Sequence, residues 1–262
     1  MPTNIITRIA PTPSGYLHKG NVFNFLLTYK IVLKNNGILH LRIDDSDKPR
    51  CKKQYIDDIF NVLNLLGIDN FIGPKNTEEQ IEIYTQQKKY ELYKKYINKL
   101  IEKNLVYACN CSRIKLNEIP CICKTKSNDI KTPDCHLKIK VDEQDSINDF
   151  IVWRKDGIPA YQLVSVVEDH LMNCNLIVRG EDLIESTLMQ KILAKYLDFN
   201  NFLMATFIHH PLLFEPNGEK LSKTAGSYAI SQILKNELEL KKLLQEFDEW
   251  VNNFNVFDNL GF

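Results

Sequence analysis

The chain has 262 residues, with 33 Lys and Arg against 33 Asp and Glu and a formal net charge of zero, which excludes a strongly basic nucleic-acid coat but leaves room for a local basic patch. A hydrophobic share of 44%, with 10% aromatic residues, is ample for the buried core of a large α/β domain, or of one carrying an insertion. Apolar runs are short and broken by charge, so no membrane span is expected, and the N-terminus shows no basic segment leading into an apolar one; cytoplasm is the expected compartment.

In chain order, residues 5–10 read as a buried strand, followed by a Pro/Gly turn and a helix that opens near Gly20-Asn21 and runs over 24–34. Residues 37–43 alternate as a strand toward Asp44-Asp45, and 54–66 carry the apolar stripe Ile56, Ile59, Phe60, Val62, Leu63, Leu65 and Leu66, which is helical. A long Lys- and Tyr-rich helical segment is expected over 77–103, its stripe Tyr93, Tyr96, Ile97, Leu100 and Ile101. Its lysines at 88, 89, 94, 95, 99 and 103 read either as a solvated face or as a face for an RNA backbone. Residues 107–149 break the pattern and read as an insertion between two halves of one α/β domain. Structure is expected to resume with a strand at 150–154, a helix at 165–174, a strand at 176–179 and a helix at 186–197. The expected boundaries are therefore 1–106 and 150–226 for the two halves, 107–149 for the insertion and 227–262 for a short helical tail.

Seven cysteines stand at 51, 109, 111, 121, 123, 135 and 174. An odd count with the paired spacing Cys109/Cys111 and Cys121/Cys123 speaks against a disulfide framework and for a metal site. The Cys135-His136 pair is a further source of ligands.

Two segments carry phosphate chemistry. The first is Arg8-Ile9-Ala10-Pro11-Thr12-Pro13-Ser14-Gly15-Tyr16-Leu17-His18-Lys19-Gly20-Asn21, a strand, turn and helix start of the kind that presents an anion to a helix N-terminus. The second is Gly218-Glu219-Lys220-Leu221-Ser222-Lys223-Thr224, where two lysines flank a serine. Together they fit the splitting of ATP at its α-phosphate, which asks mainly for donors and cations where charge develops. His18 and Asn21 supply neutral donors, Gly15 and Gly20 allow close approach of backbone, and Lys220, Ser222 and Lys223 can receive the leaving pyrophosphate. Taken alone, His18 reads equally as a satisfied turn histidine, Arg179 as a strand-end ion-pair residue and Tyr161 as a core aromatic.

These segments resemble the two signatures of class I aminoacyl-tRNA synthetases, the HIGH motif at His18-Lys19-Gly20-Asn21 and the KMSKS motif at Lys220-Leu221-Ser222-Lys223-Thr224. The run from Arg8 to Gly15 resembles the glutamyl and glutaminyl branch. Ala160-Tyr161-Gln162-Leu163, Val178-Arg179-Gly180-Glu181-Asp182-Leu183 with Ser186-Thr187, and His210-Pro211-Leu212 are similar to the glutamyl-Q tRNA(Asp) synthetases. The resemblance covers most of 5–226. It implies a Rossmann-type parallel sheet with an inserted zinc-bearing, acceptor-type subdomain. It also implies an ATP-dependent ligase, expected to be monomeric, that forms glutamyl-adenylate with Mg²⁺ and passes glutamate to a tRNA. By the family pattern, Arg8, Ala10, Thr12, Asp44, Tyr161 and Arg179 bind glutamate. An arginine suits a carboxylate through its bidentate geometry, and an acidic residue suits the α-ammonium.

This chain departs from the pattern in two places. Asp44 stands where the family generally carries Glu, one methylene longer, so water or Asp45 could complete the ammonium contact; Arg42 reads as an ion-pair partner. The family's zinc insertion uses C-x-C followed by a tyrosine and a cysteine, whereas Cys109, Cys111, Cys121 and Cys123 have no tyrosine among them between 111 and 123. Four thiolates remain a sound structural zinc set. No anticodon-binding region is recognisable after 226, so the expected acceptor is queuosine in the anticodon of tRNA(Asp). The alternatives are a glutamyl-tRNA synthetase catalytic core, a small-molecule adenylyltransferase, and an inactive tRNA-binding module.

Overall fold

The computed structural model describes residues 4–111, 121–125, 130, 132–214 and 230–254. In chain order the main elements are β1 (Ile6–Ile9), α1 (Lys19–Lys34), β2 (Ile38–Leu41), α2 (Lys53–Leu65), α3 (Tyr90–Glu102), β3 (Val106–Cys109), β4 (His136–Ile139), β5 (Ile151–Trp153), α4 (Tyr161–Leu171), β6 (Leu176–Gly180), α5 (Ile184–Tyr196), β7 (Thr206–His210), α6 (Ile230–Leu234) and α7 (Glu237–Phe254). They form two compact units, one of residues 1–86, 172–184 and 204–262, the other of 87–171 and 185–203. No helix among the described residues is long and apolar enough to cross a membrane.

The first unit is a parallel α/β layer. β1 pairs with β2 from Ile6 opposite Ile38 to Ile9 opposite Leu41, and β6 pairs with β7 from Leu176 opposite Thr206 to Gly180 opposite His210. β1 and β6 are joined through Asn175, whose backbone N–H donates to Ile6 O at 2.9 Å while its Oδ1 accepts from Ile6 N at 2.9 Å. All-apolar strand segments such as Leu176-Ile177-Val178 are buried throughout, as parallel strands covered on both faces require. α1 is buried along much of its length, at Val22, Phe23, Phe25, Leu27, Thr28, Ile31 and Val32. Its exit turns sharply at Asn36, which has positive φ, into Gly37, where a Cβ would come within 2.8 Å of Ile5 O; only glycine lets β2 start that close to β1. The tail helix α7 closes the same core with Leu243, Phe247 and Val251. Phe23 meets Phe247 edge-on at 5.4 Å between centroids, and Lys19 and Lys30 pair with Glu246 and Asp248.

The second unit is built on an antiparallel sheet in the order β3-β4-β5. α3 faces its core with Tyr93, Ile97 and Leu100, and α4 with Leu163, Val164, Val166 and Val167. The two helices share a buried polar tie in which Glu168 Oε1 accepts from Lys89 Nζ and from Tyr93 OH, both at 2.9 Å. The insertion expected at 107–149 lies inside this unit, which also takes in the helices on either side of it.

Several expected elements shift. α1 begins at Lys19, just before the expected opening near Gly20-Asn21, with His18 as its cap. α4 begins at Tyr161 and ends at Leu171, before Asn173 with positive φ. The continuous helix expected over 77–103 is broken: a turn at Thr77–Glu79, a π-type turn at Gln80–Tyr84 and a 3₁₀ turn at Gln86–Lys89 precede α3. Thr85, at φ −53 and ψ 133, leaves the helical region so that the glutamines on both sides can turn inward. Of the lysines in this stretch, Lys89 is held by Glu168, Lys94 by Glu91, Lys103 by Asp198, and Lys99 lies over the Tyr96 ring.

Candidate active site

The turn after β1 is pinned at several points before α1 starts. Asp44 N donates to Pro11 O at 2.9 Å, Lys52 N to Pro13 O at 3.4 Å, and Leu17 N to the buried carboxylate of Asp58 at 2.9 Å. Thr12 is exposed at the crest, while Ala10 and Gly15 are half-buried. His18 then caps α1 in extended backbone conformation. Its Nδ1 accepts from Gly20 N at 3.1 Å, and its own N–H donates to Asn21 Oδ1 at 3.1 Å, a reciprocal capping box with histidine in place of the usual serine or threonine. Because Nδ1 accepts, the neutral ring carries its proton on Nε2, which becomes the donor. A Cβ at Gly20 would stand 3.1 Å from His18 Cε1 and 3.2 Å from Nδ1, so the glycine makes room for the imidazole. The first turn of this 16-residue helix holds no acidic side chain, which leaves its positive end available to an anion.

Beyond β2 lies a buried charged group. Arg42 grips Asp44 with two bonds, Nε to Oδ1 at 2.7 Å and Nη2 to Oδ2 at 3.2 Å, and Gln86 Nε2 adds a third to Oδ1 at 2.9 Å. Asp45 accepts from Gln80 Nε2 and from Gln86 N, both at 2.8 Å. Arg42 is thus the ion-pair partner of Asp44, and when ionised the three side chains sum to one negative charge. Gln80 and Gln86 have no signature in the sequence; they lie in a polar run that reads as solvated helix.

Two arginines stand on neighbouring strands. Arg8 in β1 is 4% exposed and donates from Nη1 to Val178 O at 3.4 Å. Arg179 in β6 is 3% exposed, with its guanidinium 5.0 Å from the Phe207 ring centroid. Buried guanidinium groups at strand ends are suited to an anionic ligand. Tyr161, 37% exposed, opens α4 in the second unit. Lys220, Ser222 and Lys223 lie outside the described residues.

In the second unit Cys109, Cys111, Cys121 and Cys123 bring their sulfurs within 4.8 Å of one another. Adjacent pairs stand at 3.7 Å (109 to 121), 3.8 Å (111 to 121) and 3.6 Å (111 to 123). A tetrahedral ion with metal–sulfur bonds of about 2.3 Å has sulfur–sulfur edges of about 3.8 Å, so the thiol set fits a closed, four-coordinate ion. Burial pushes the Cys109 thiol up to about 12; a cation is what would hold it as thiolate. His136 Nδ1 instead accepts from Lys155 N at 3.2 Å, and neither it nor Cys135 belongs to the four-thiol group.

The family described as tRNA synthetases class I (E and Q), catalytic domain, matches residues 4–134 and 122–247. The chain belongs to that family. Glutamate–tRNA ligase of Aquifex aeolicus is 31% identical to it over 87% of this chain and 53% of its own length. Glutamate–tRNA ligase 1 of Petrotoga mobilis is 30% identical over 97% of this chain and 58% of its own. Among solved structures, a glutamate–tRNA synthetase from Elizabethkingia anophelis superposes with a TM-score of 0.69 at 21% identity, over 84% of this chain and 52% of that one, a likeness of fold. The chain spans about half the length of the curated relatives it matches.

Arg8, Ala10, Thr12, Asp44, Arg179 and the His18–Asn21 helix start all belong to the first unit, and Tyr161 to the second. Asp58 is the residue that sequence reading passed over. It faces the core from α2, where an acidic residue in an apolar stripe reads as an interruption, and it ties Leu17 to Ser231.

Proposed function

We propose that this synthetase-family chain activates L-glutamate with ATP to glutamyl-adenylate and passes the glutamyl group to a tRNA. The observation that carries the reading is the start of α1, where His18 is held with Nε2 as donor on a helix whose first turn has no acidic side chain, in a unit that also buries Arg8 and Arg179. A carboxylate oxygen of glutamate forms a bond to the α-phosphorus of ATP, and the bond to the bridging oxygen breaks to release pyrophosphate. His18 Nε2 donates to the phosphate oxygens as they gain charge, and the positive end of the α1 dipole stabilises that charge. Lys220, Lys223 and Ser222, with Mg²⁺ brought by ATP, are assigned to the leaving pyrophosphate by the KMSKS-like sequence. Arg8 and Arg179 would take the carboxylates of glutamate. Asp44, with Ala10 and Thr12, would orient its ammonium end, and Tyr161 is assigned to glutamate by the family pattern alone. The four thiols Cys109, Cys111, Cys121 and Cys123 would hold a structural zinc, which organises the end of β3 and takes no part in the reaction.

For the acceptor, the stretches around Tyr161, Arg179 and His210 support queuosine in the anticodon of tRNA(Asp). A second reading, transfer to the 3′ end of a tRNA, is favoured by relatives that are glutamate–tRNA ligases. Labelled glutamate with ATP and tRNA, with and without queuosine, separates them. Product that requires queuosine supports the first. A 3′ ester formed equally on both tRNAs overturns it, and pyrophosphate exchange that does not depend on glutamate overturns the activation step itself.

A further inference from the structure

We propose that His210 is a positioning residue for adenylate formation, its ring locking the end of β7 to α1 through Asn24 and to α7 through Trp250. The inference rests on the activation chemistry proposed above.

His210 is the last residue of β7 and is buried. Its Nδ1 lies 3.0 Å from Pro211 O, and its Nε2 lies 3.0 Å from Asn24 Nδ2. A carbonyl oxygen can only accept, so Nδ1 carries the proton; Nε2 is therefore the acceptor and the Asn24 amide the donor. Both partners are thus satisfied by one tautomer. Burial lowers the His210 pKa, against the opposing pull of Pro211 O, Asp182 and Glu181, and this keeps the ring in the neutral form that the pairing needs.

Asn24 lies on the same helix as His18 and Asn21, so the bond ties the end of β7 to the element that presents the phosphate-facing donors. The Trp250 ring stands edge-on to the imidazole at 5.2 Å, and Trp250 packs in turn on Phe23 of α1 at 5.3 Å. Just beyond, Leu212 N donates to Glu181 Oε1 at 3.2 Å, so the strand leaves His210 in a fixed direction. In sequence this stretch leads to the lysine run at Lys220–Lys223. A core aromatic would need none of this polarity. The paired hydrogen bonds are what set the exit of β7 against the start of α1, and displacements of an ångström between reacting groups cost about a hundredfold in rate.

The test compares Asn24→Ala, His210→Phe, His210→Gln and the double variant Asn24→Ala/His210→Phe in ATP–pyrophosphate exchange, below their melting temperatures. The expected result is that N24A and H210F each lower kcat about ten- to a hundredfold with KM for glutamate little changed, and that the double variant loses no more than either. H210Q, whose amide can both donate and accept, recovers part of the loss. In a Trp153→Phe background, H210F shifts Trp250 emission while N24A leaves it near wild type. Unchanged kcat in N24A, or losses that multiply in the double variant, overturns the inference. Exchange is run in parallel with the other proteinogenic amino acids. Support by one of those in place of glutamate would reject the substrate reading, and the same variant ratios, taken with that amino acid, still decide the role of His210.

Discussion

Truncation of Asp58 gives the sharpest measure of what holds the phosphate-facing turn. Its carboxylate is buried, with Oδ2 accepting from Leu17 N at 2.9 Å and Oδ1 from Ser231 Oγ at 2.6 Å. Hydrogen bonds to a charged group contribute about 1.5–3 kcal/mol each, and a buried N–H left without its acceptor costs about 1–3 kcal/mol. Asp58→Ala removes both bonds and orphans the N–H of Leu17, itself buried; the expected loss is about 3–5 kcal/mol, or about 10 °C in Tm for a chain of this size. Ser231→Ala removes one bond to that carboxylate without orphaning Leu17 N and should cost about 1.5–3 kcal/mol, less than D58A. Asp58→Asn falls between, because its Oδ1 can keep Leu17 while its amide donates to a rotated Ser231 hydroxyl. Urea unfolding of the first unit, followed by Trp250 emission in a Trp153→Phe background, gives the three values. Equal losses for D58A and S231A would mean that the Leu17 bond contributes nothing, and the account of the turn would be wrong.

Other outcomes follow from the same geometry. Gly20→Ala should hold or slightly raise stability, since alanine favours a helix over glycine by about 0.5–1 kcal/mol; it should also lower exchange activity by displacing the His18 ring, and unchanged kcat would sink that role. The purified chain is expected to release a single zinc ion when its thiols are modified, and Cys109→Ser to lose it along with cooperative unfolding of the second unit; a metal-free wild type with the same melting curve would reject the site. Burial holds the folded pKa values of His40 and His210 below 6.5. Below about pH 6.5 the unfolded chain therefore binds more protons than the folded one, so stability falls as pH drops toward the folded values. His210→Phe should flatten that slope relative to wild type between about pH 7 and 5, and parallel slopes would show that His210 does not contribute.

Strands β1, β2 and β6 of the parallel layer were legible as apolar stretches bounded by Pro, Gly and Asp, whereas β7, Thr206-Phe207-Ile208-His209-His210, ends on two histidines and gave no such signal; the two phosphate segments could be read as motifs. The start of α1 was legible from the turn before it, but its cap was not, because histidine is an unusual cap and the usual signals are Ser, Thr, Asp and Asn. The break between Gln80 and Lys89 escaped for a different reason. Local composition there favours helix, and the interruption is imposed by Asp44 and Asp45, 35 or more residues away in sequence, drawing in Gln80 and Gln86. Asp58 shows the same limit: its meaning depends on Leu17 and on Ser231, 173 positions later. Periodicity reports which face of an element is apolar; it carries no information on which distant polar groups will meet.

The Asn175 bridge between β1 and β6 also sets an order of events during synthesis. β1, α1, β2 and α2 leave the ribosome together, yet the edge of β1 stays unpaired until a residue 169 positions later arrives to cap Ile6. Residues 87–171 of the second unit emerge in between, and that unit in turn waits for its residues 185–203. The nascent first half is therefore a half-sheet with an open apolar edge until Asn175 has emerged, the kind of species that pairs with other chains when folding is slow.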